Sequence, residues 1–284
     1  MQFERAAGKV PSFLTGLAQP YVQNALAGGL IVAVLSAFVG YFVVVRGASF
    51  ATHALSQIGF AGAAGAVLVG IAPLLGLIVF ALLGAALLGF LAARTRSSDV
   101  TTALVLVTAL GTGALFLALQ RNYASNAFSL LFGTIVGIDR TQVVITALVA
   151  LVASGALGTI ARPLLFGTVA REAAASAGVP VAVLDLAFLA IVALACAVTV
   201  PIVGTLLVFS LTIGPAAAAS RLATRPLAIV GIATTLGISA VVIGIALAYV
   251  TDWPIGFYIA ALTSLQYALA RGWAQLRASN LRQM

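Results

Sequence analysis

Between Ala54 and Ala93 the chain carries no charged residue, and this run fixes the kind of fold it can adopt. A helix needs about twenty apolar residues to cross the hydrocarbon core of a bilayer. Forty such residues are therefore two crossings, with Pro73 as the divide, because proline does not continue a helix. Val181 to Ser220 is again about forty residues, enough for two crossings, with the turn expected at Thr199–Pro201. Single crossings are expected over Asn24–Val45, Val100–Leu119, Thr141–Ile160 and Leu227–Val250, and a last one ends at Arg271. Charged residues make up 7% of the chain, against about 25% in soluble domains. The expectation is an all-α, polytopic membrane helix bundle with about eight or nine transmembrane helices.

The stretches between the runs organise the rest. Residues 1–23 contain Pro11 and Pro20 and read as an interfacial N-terminal segment without a cleavable signal. Residues 24–270 form the membrane domain and 271–284 a cytoplasmic tail. The segment 120–140 holds too few apolar residues to cross and reads as re-entrant or interfacial, tolerable where protein covers its backbone. The stretch 161–180 reads as a short surface helix closed by Gly178-Val179-Pro180. Arginines recur at 94–99, 161–179, 221–226 and in the tail. Placing all of these in the cytoplasm makes the crossings alternate, with the N-terminus outside. The net charge of +8 is spread singly between apolar runs, so it marks topology and lipid contact, not nucleic acid.

Chemistry concentrates in RGASFATHALSQIGFAG, Arg46 to Gly62. His53 is the only histidine of the chain. In a helix Gln57 lies one turn further along the same face, with Ser56 beside it. A polar stripe within a membrane segment points to a transport path, because polar groups in hydrocarbon are costly. The other intramembrane candidate, Asp185, is expected to pair with an arginine at the cytoplasmic surface, while Asp139 and Asp252 stand at span ends. Cys196, the single cysteine, reads as a small buried residue. The chain lacks a phosphate-binding loop and has one lysine, Lys9, so it has no such route to ATP hydrolysis. No nucleophile elbow or HExxH motif points to an enzyme.

Four stretches in fixed order carry a resemblance: R-x-x-S-F-x-x-H-A-L-S-Q-x-G-F-A-G from Arg46, REAAASAGVP from Arg171, VGTLLVFSLTIGPAAAASRL from Val203, and DWPIG from Asp252. Together they resemble the membrane-spanning permease of bacterial ABC importers for zinc and manganese, located in the plasma membrane. The resemblance implies a two-fold dimer or a paired permease, a separate ATP-binding subunit, and an extracytoplasmic solute-binding protein that delivers a divalent metal ion. It implies no cofactor bound by this chain, with ATP on the partner. It assigns His53, Ser56 and Gln57 to the path, with His53 as a metal ligand, and Arg171, Glu172 and Gly178 to coupling with the ATPase. Pro215 is expected to kink its helix and free a carbonyl near the path. One departure stands out: where the family reads G-D-A-L-S-H, this chain reads Thr52-His53-Ala54-Leu55-Ser56-Gln57, with an imidazole for the acid and an amide for the histidine. Two alternatives stay open, a stand-alone secondary carrier or channel and an ABC-type permease for a non-metal substrate.

Overall fold

The computed structural model describes residues 19–92, 98–120, 130–133, 138–205, 207–251 and 253–283. Among these residues every regular element is helical. The helices of six residues or more are α1 (Pro20–Val45), α2 (Ser49–Leu68), α3 (Pro73–Ala92), α4 (Ser98–Ala118), α5 (Arg140–Val169), α6 (Arg171–Ser176), α7 (Val181–Val203), α8 (Val208–Leu222), α9 (Pro226–Thr251) and α10 (Ile255–Gln283).

Local chemistry explains the boundaries. Pro20, Pro73 and Pro226 each stand at a helix start, where the missing N–H costs nothing. Asp139 caps α5 by accepting a 2.6 Å hydrogen bond from the Gln142 amide. The exit of α1 is a Schellman turn: the Gly47 amide donates to the Val44 carbonyl and the Ala48 amide to the Val43 carbonyl, with Gly47 at φ 65°. The same pair of bonds closes α6 around Gly178, at φ 80°.

Helices α1 and α7 form the centre, each with 67% of its apolar span buried, whereas α3, α4 and α5 bury only 22–28% of theirs. Around that centre α1 meets α5, α8 and α9, while α7 meets α2, α3 and α5. Leu83, Leu104 and Leu151 on the outer helices are exposed, as a lipid-facing surface requires. The fold is thus an all-helical, polytopic membrane bundle. Among the described residues six helices, α1, α3, α4, α5, α7 and α9, are long and apolar enough to cross, fewer than the eight or nine expected. Helix α2 falls outside that group because it carries the polar stripe, and α10 because arginines enter its second half. Helix α8, with fifteen residues, extends about 22 Å at 1.5 Å per residue.

Several expected boundaries move. Thr199–Pro201 is not a turn, since α7 continues through Pro201 to Val203. The chain breaks at Gly204, whose φ of 89° disfavours any residue with a Cβ. Segment 130–133 covers this break: the Thr205 amide donates to the Leu130 carbonyl at 3.1 Å, and a Cβ on Gly204 would collide with the Leu131 carbonyl. Residues 121–129 and 134–137, the rest of the expected re-entrant piece, lie outside the described residues, as does Asp252. The fifth span does not end at Ile160, because α5 runs on through Pro163 to Val169. Packing holds that extension, with Leu164 buried and Gly167 against Val181 of α7; the surface helix begins only at Arg171. At the termini α1 already starts at Pro20, and α10 passes Arg271 without a break.

Candidate transport path

Helix α2 carries the stripe across the bundle. Its small residues let neighbours in: a Cβ on Gly59 would lie 3.2 Å from Leu77 of α3, and one on Gly65 would lie 3.0 Å from Phe116 of α4. The opposite flank meets α7, where the Cys196 thiol donates to the Thr52 carbonyl at 3.8 Å. Cys196 is thereby buried as a small packing residue.

His53 is half-buried and sets its ring edge-on to Phe209 of α8, with centroids 5.7 Å apart. Ser56 is 1% exposed, and its hydroxyl donates to the His53 carbonyl at 2.8 Å while lying 3.4 Å from the Thr205 carbonyl. The serine therefore ties α2 to the break between α7 and α8. Gln57 is also 1% exposed, and its Oε1 accepts no hydrogen bond among the described residues. Thr205, fully buried, likewise leaves its Oγ1 unpaired. A buried acceptor without a donor costs about 1–3 kcal/mol; among the described residues the Gln57 amide oxygen is one of four buried side-chain atoms in that state, and it lies one turn from an imidazole.

Sequence reasoning placed His53, Ser56 and Gln57 on one helix and missed Thr205 and Phe209. Both lie within the stretch counted as two plain spans, and the Gly204-Thr205 pair at its centre was the available signal. Among the described residues no group of three or more His, Cys, Asp or Glu side chains gathers to hold a metal ion. The donors at the stripe are neutral, an imidazole and an amide oxygen, and such a set holds a divalent ion weakly.

The second set of expected residues lies on and just beyond α6. Helix α6 is short, with Arg171 and Glu172 in its first turn and Gly178 just beyond its end. Glu172 is exposed. Arg171 is exposed as well, and its Nη2 donates to Asp185 Oδ2 of α7 at 2.9 Å. Asp185 is paired as expected, and with two arginines, since Arg46 at the end of α1 also binds its Oδ1. Pro215 sits within α8, which continues to Leu222; its missing N–H leaves the Leu211 carbonyl without the usual helical donor. The structure thus brings His53, Ser56 and Gln57 together on α2 and Arg171 and Glu172 together on α6, with Pro215 on a third element.

The ABC 3 transport family matches residues 18–272, nearly the whole bundle. The chain belongs to this family. Members similar to it include the manganese transport system membrane protein MntC of Halalkalibacterium halodurans, 24% identical over 89% of this chain and 87% of the relative. The high-affinity zinc uptake system membrane protein ZnuB of Haemophilus influenzae is 26% identical over 87% of this chain and 95% of its own. In the solved structure of PsaBC from Streptococcus pneumoniae in complex with Fab, one chain superposes with a TM-score of 0.83 at 24% identity, covering 92% of this chain and 95% of that one. An ABC 3 chain of this kind is a multi-pass protein of the bacterial plasma membrane and a transport component.

Proposed function

We propose that the chain is the membrane-spanning permease of an ATP-driven, binding-protein-dependent importer of divalent transition metal ions. Membership of the ABC 3 family and similarity to manganese and zinc permeases support this. The observation that carries it in the molecule is the unpaired, buried Gln57 Oε1 one turn from His53. In this reading His53, Ser56 and Gln57 line the path and His53 is the ligand the ion meets. Pro215 frees a carbonyl beside it. Weak neutral donors suit a path, since a conducted ion must also leave.

The energy comes from a separate ATP-binding subunit that meets α6 through Arg171, Glu172 and Gly178, and the cargo comes from an extracytoplasmic binding protein. The permease acts as a dimer with itself or with a sibling chain, and alternating access follows from a shift between two populated states. Nine crossings fit this arrangement: the six apolar helices with α2, α8 and α10, the short α8 being completed by the covered turn at Gly204. The N-terminus then lies outside, and Arg46, Arg171, Arg221 and Arg271 all lie inside.

The test is ATP hydrolysis by the purified complex with its ATP-binding subunit and binding protein. Zn²⁺ or Mn²⁺ delivered by the binding protein raises turnover severalfold. Hydrolysis indifferent to every divalent ion contradicts the metal reading and favours a permease for a non-metal cargo.

A further inference from the structure

The Arg46 guanidinium joins three helices, its own α1 with α5 and α7. Its Nη1 donates to Thr168 Oγ1 at 2.8 Å and to the Leu164 carbonyl at 3.3 Å, both on α5. Its Nη2 binds Asp185 Oδ1 on α7, and its Cζ lies 5.0 Å from the centre of the Phe188 ring. The side chain is only 13% exposed. Asp185 in turn uses its second oxygen to hold Arg171, the first residue of α6. One carboxylate therefore bridges the surface helix and the end of α1.

What lies beyond Arg46 gives the bridge its significance. Arg46 is the C-cap of α1, and the Schellman turn at Gly47 joins it to α2 with no slack residue. The Ala48 amide reaches back to the Val43 carbonyl, and the Thr52 amide already donates to the Ala48 carbonyl. His53 follows directly. At the other end α6 is equally fixed, because its own Schellman turn at Gly178 leads within three residues to Val181, the start of α7. A displacement of α6 thus reaches the root of α2 through two charge-assisted bonds and one stiff turn.

We propose that Asp185 is the positioning residue that transmits movement of α6 to the polar stripe of α2, through Arg171 on one side and Arg46 on the other. The inference rests on the reading that α6 meets the ATP-binding subunit. It adds that the path opens by movement of the α1–α2 corner together with α6. A relay of this kind needs an ion pair that is sheltered yet able to re-form, and the gradient of exposure from Arg46 (13%) through Asp185 (27%) to Arg171 (63%) provides that.

The test uses the full complex in proteoliposomes, with Mn²⁺ and Zn²⁺ as probes. Asp185→Asn keeps size and hydrogen bonding but removes the charge, and it lowers ions moved per ATP hydrolysed by tenfold or more. Arg171→Gln, at an exposed position that folding tolerates, gives the same direction of change, and the double variant is no worse than Asp185→Asn alone. A wild-type ratio in both single variants overturns the proposal. A second measurement does not depend on the cargo: spin labels at Ser49→Cys and Ala177→Cys, compared between nucleotide-free and ATP-trapped complexes. The distance distribution stays constant between states with Asp185 intact and diverges with Asp185→Asn. A shift of several ångströms between states in the otherwise native complex contradicts a rigid linkage. If neither ion is transported by the native complex, the metal reading fails while this second measurement still decides the linkage.

Discussion

Gly62 of α2 and Gly76 of α3 face each other so closely that a Cβ on either would run into the carbonyl oxygen of the other. The crossing of these two helices therefore depends on two hydrogen atoms, one on each Cα. It sets how far α2, with its polar stripe, sits inside the bundle.

Gly62→Leu is expected to force the helices apart and cost about 1–3 kcal/mol, as overpacking of a filled core does. Thermal unfolding in detergent checks this through a clear fall in midpoint. Gly111→Ala provides the contrast, because nothing lies within 4 Å of a Cβ there and alanine favours a helix by up to about 1 kcal/mol over glycine. Its midpoint stays level or rises. Gly111 and Gly62 look alike in sequence; position on the helix, which no composition reveals, separates them.

At Gly204 the demand is on the backbone. A Cβ there meets both an unfavourable φ of 89° and the Leu131 carbonyl. Gly204→Ala costs about 1–3 kcal/mol, because φ 89° with ψ 150° is a conformation essentially reserved for glycine, and it loosens the cover formed by residues 130–133. Faster hydrogen exchange at the Thr205 amide, relative to amides within α7, is the expected readout.

Much of this bundle was legible from charge spacing. Pro73 divided α2 from α3, Arg46 ended α1, and the pairing of Asp185 with arginine followed from the cost of a lone charge in hydrocarbon. What stayed hidden was tertiary. Pro163 and Pro201 look like helix ends, yet each lies within a helix whose neighbours hold it straight through, and the true break fell three residues later at Gly204. The stripe was visible because His53 and Gln57 are rare residues in such a run. Thr205 and Phe209, which complete its surroundings, look ordinary in sequence and gain meaning only from the packing of α8 on α2. Arg171 reads from sequence as a surface residue and is exposed; only the fold shows that it also reaches Asp185.

Cys196 should resist alkylation in the folded protein. Its sulfur is buried and engaged with the Thr52 carbonyl, and a thiol without access to solvent does not react as thiolate. N-ethylmaleimide labelling is expected to be negligible in mild detergent and complete in denaturing detergent. Appreciable labelling of the folded chain would show that α2 and α7 separate there.

Gln57 offers a test in which stability and transport move in opposite directions. Gln57→Leu removes an acceptor that has no donor, so the folded chain gains about 1 kcal/mol or more. Ion uptake falls strongly because the path loses a donor. A rise in unfolding midpoint together with unchanged uptake would place Gln57 outside the path.

Glu172, exposed on α6, is expected to matter for assembly and not for folding. Glu172→Lys leaves the unfolding midpoint within about 0.5 kcal/mol of the parent, as surface substitutions do, and weakens retention of the ATP-binding subunit during purification by severalfold. Undiminished co-purification would move the contact away from α6.

The most direct measurement is accumulation of Zn²⁺ or Mn²⁺ in proteoliposomes that contain this chain with its ATP-binding subunit and binding protein, compared with the chain alone and with His53→Ala. The account predicts uptake that requires ATP and all three components and that drops at least tenfold with His53→Ala. Equal accumulation by the chain alone without ATP would contradict it.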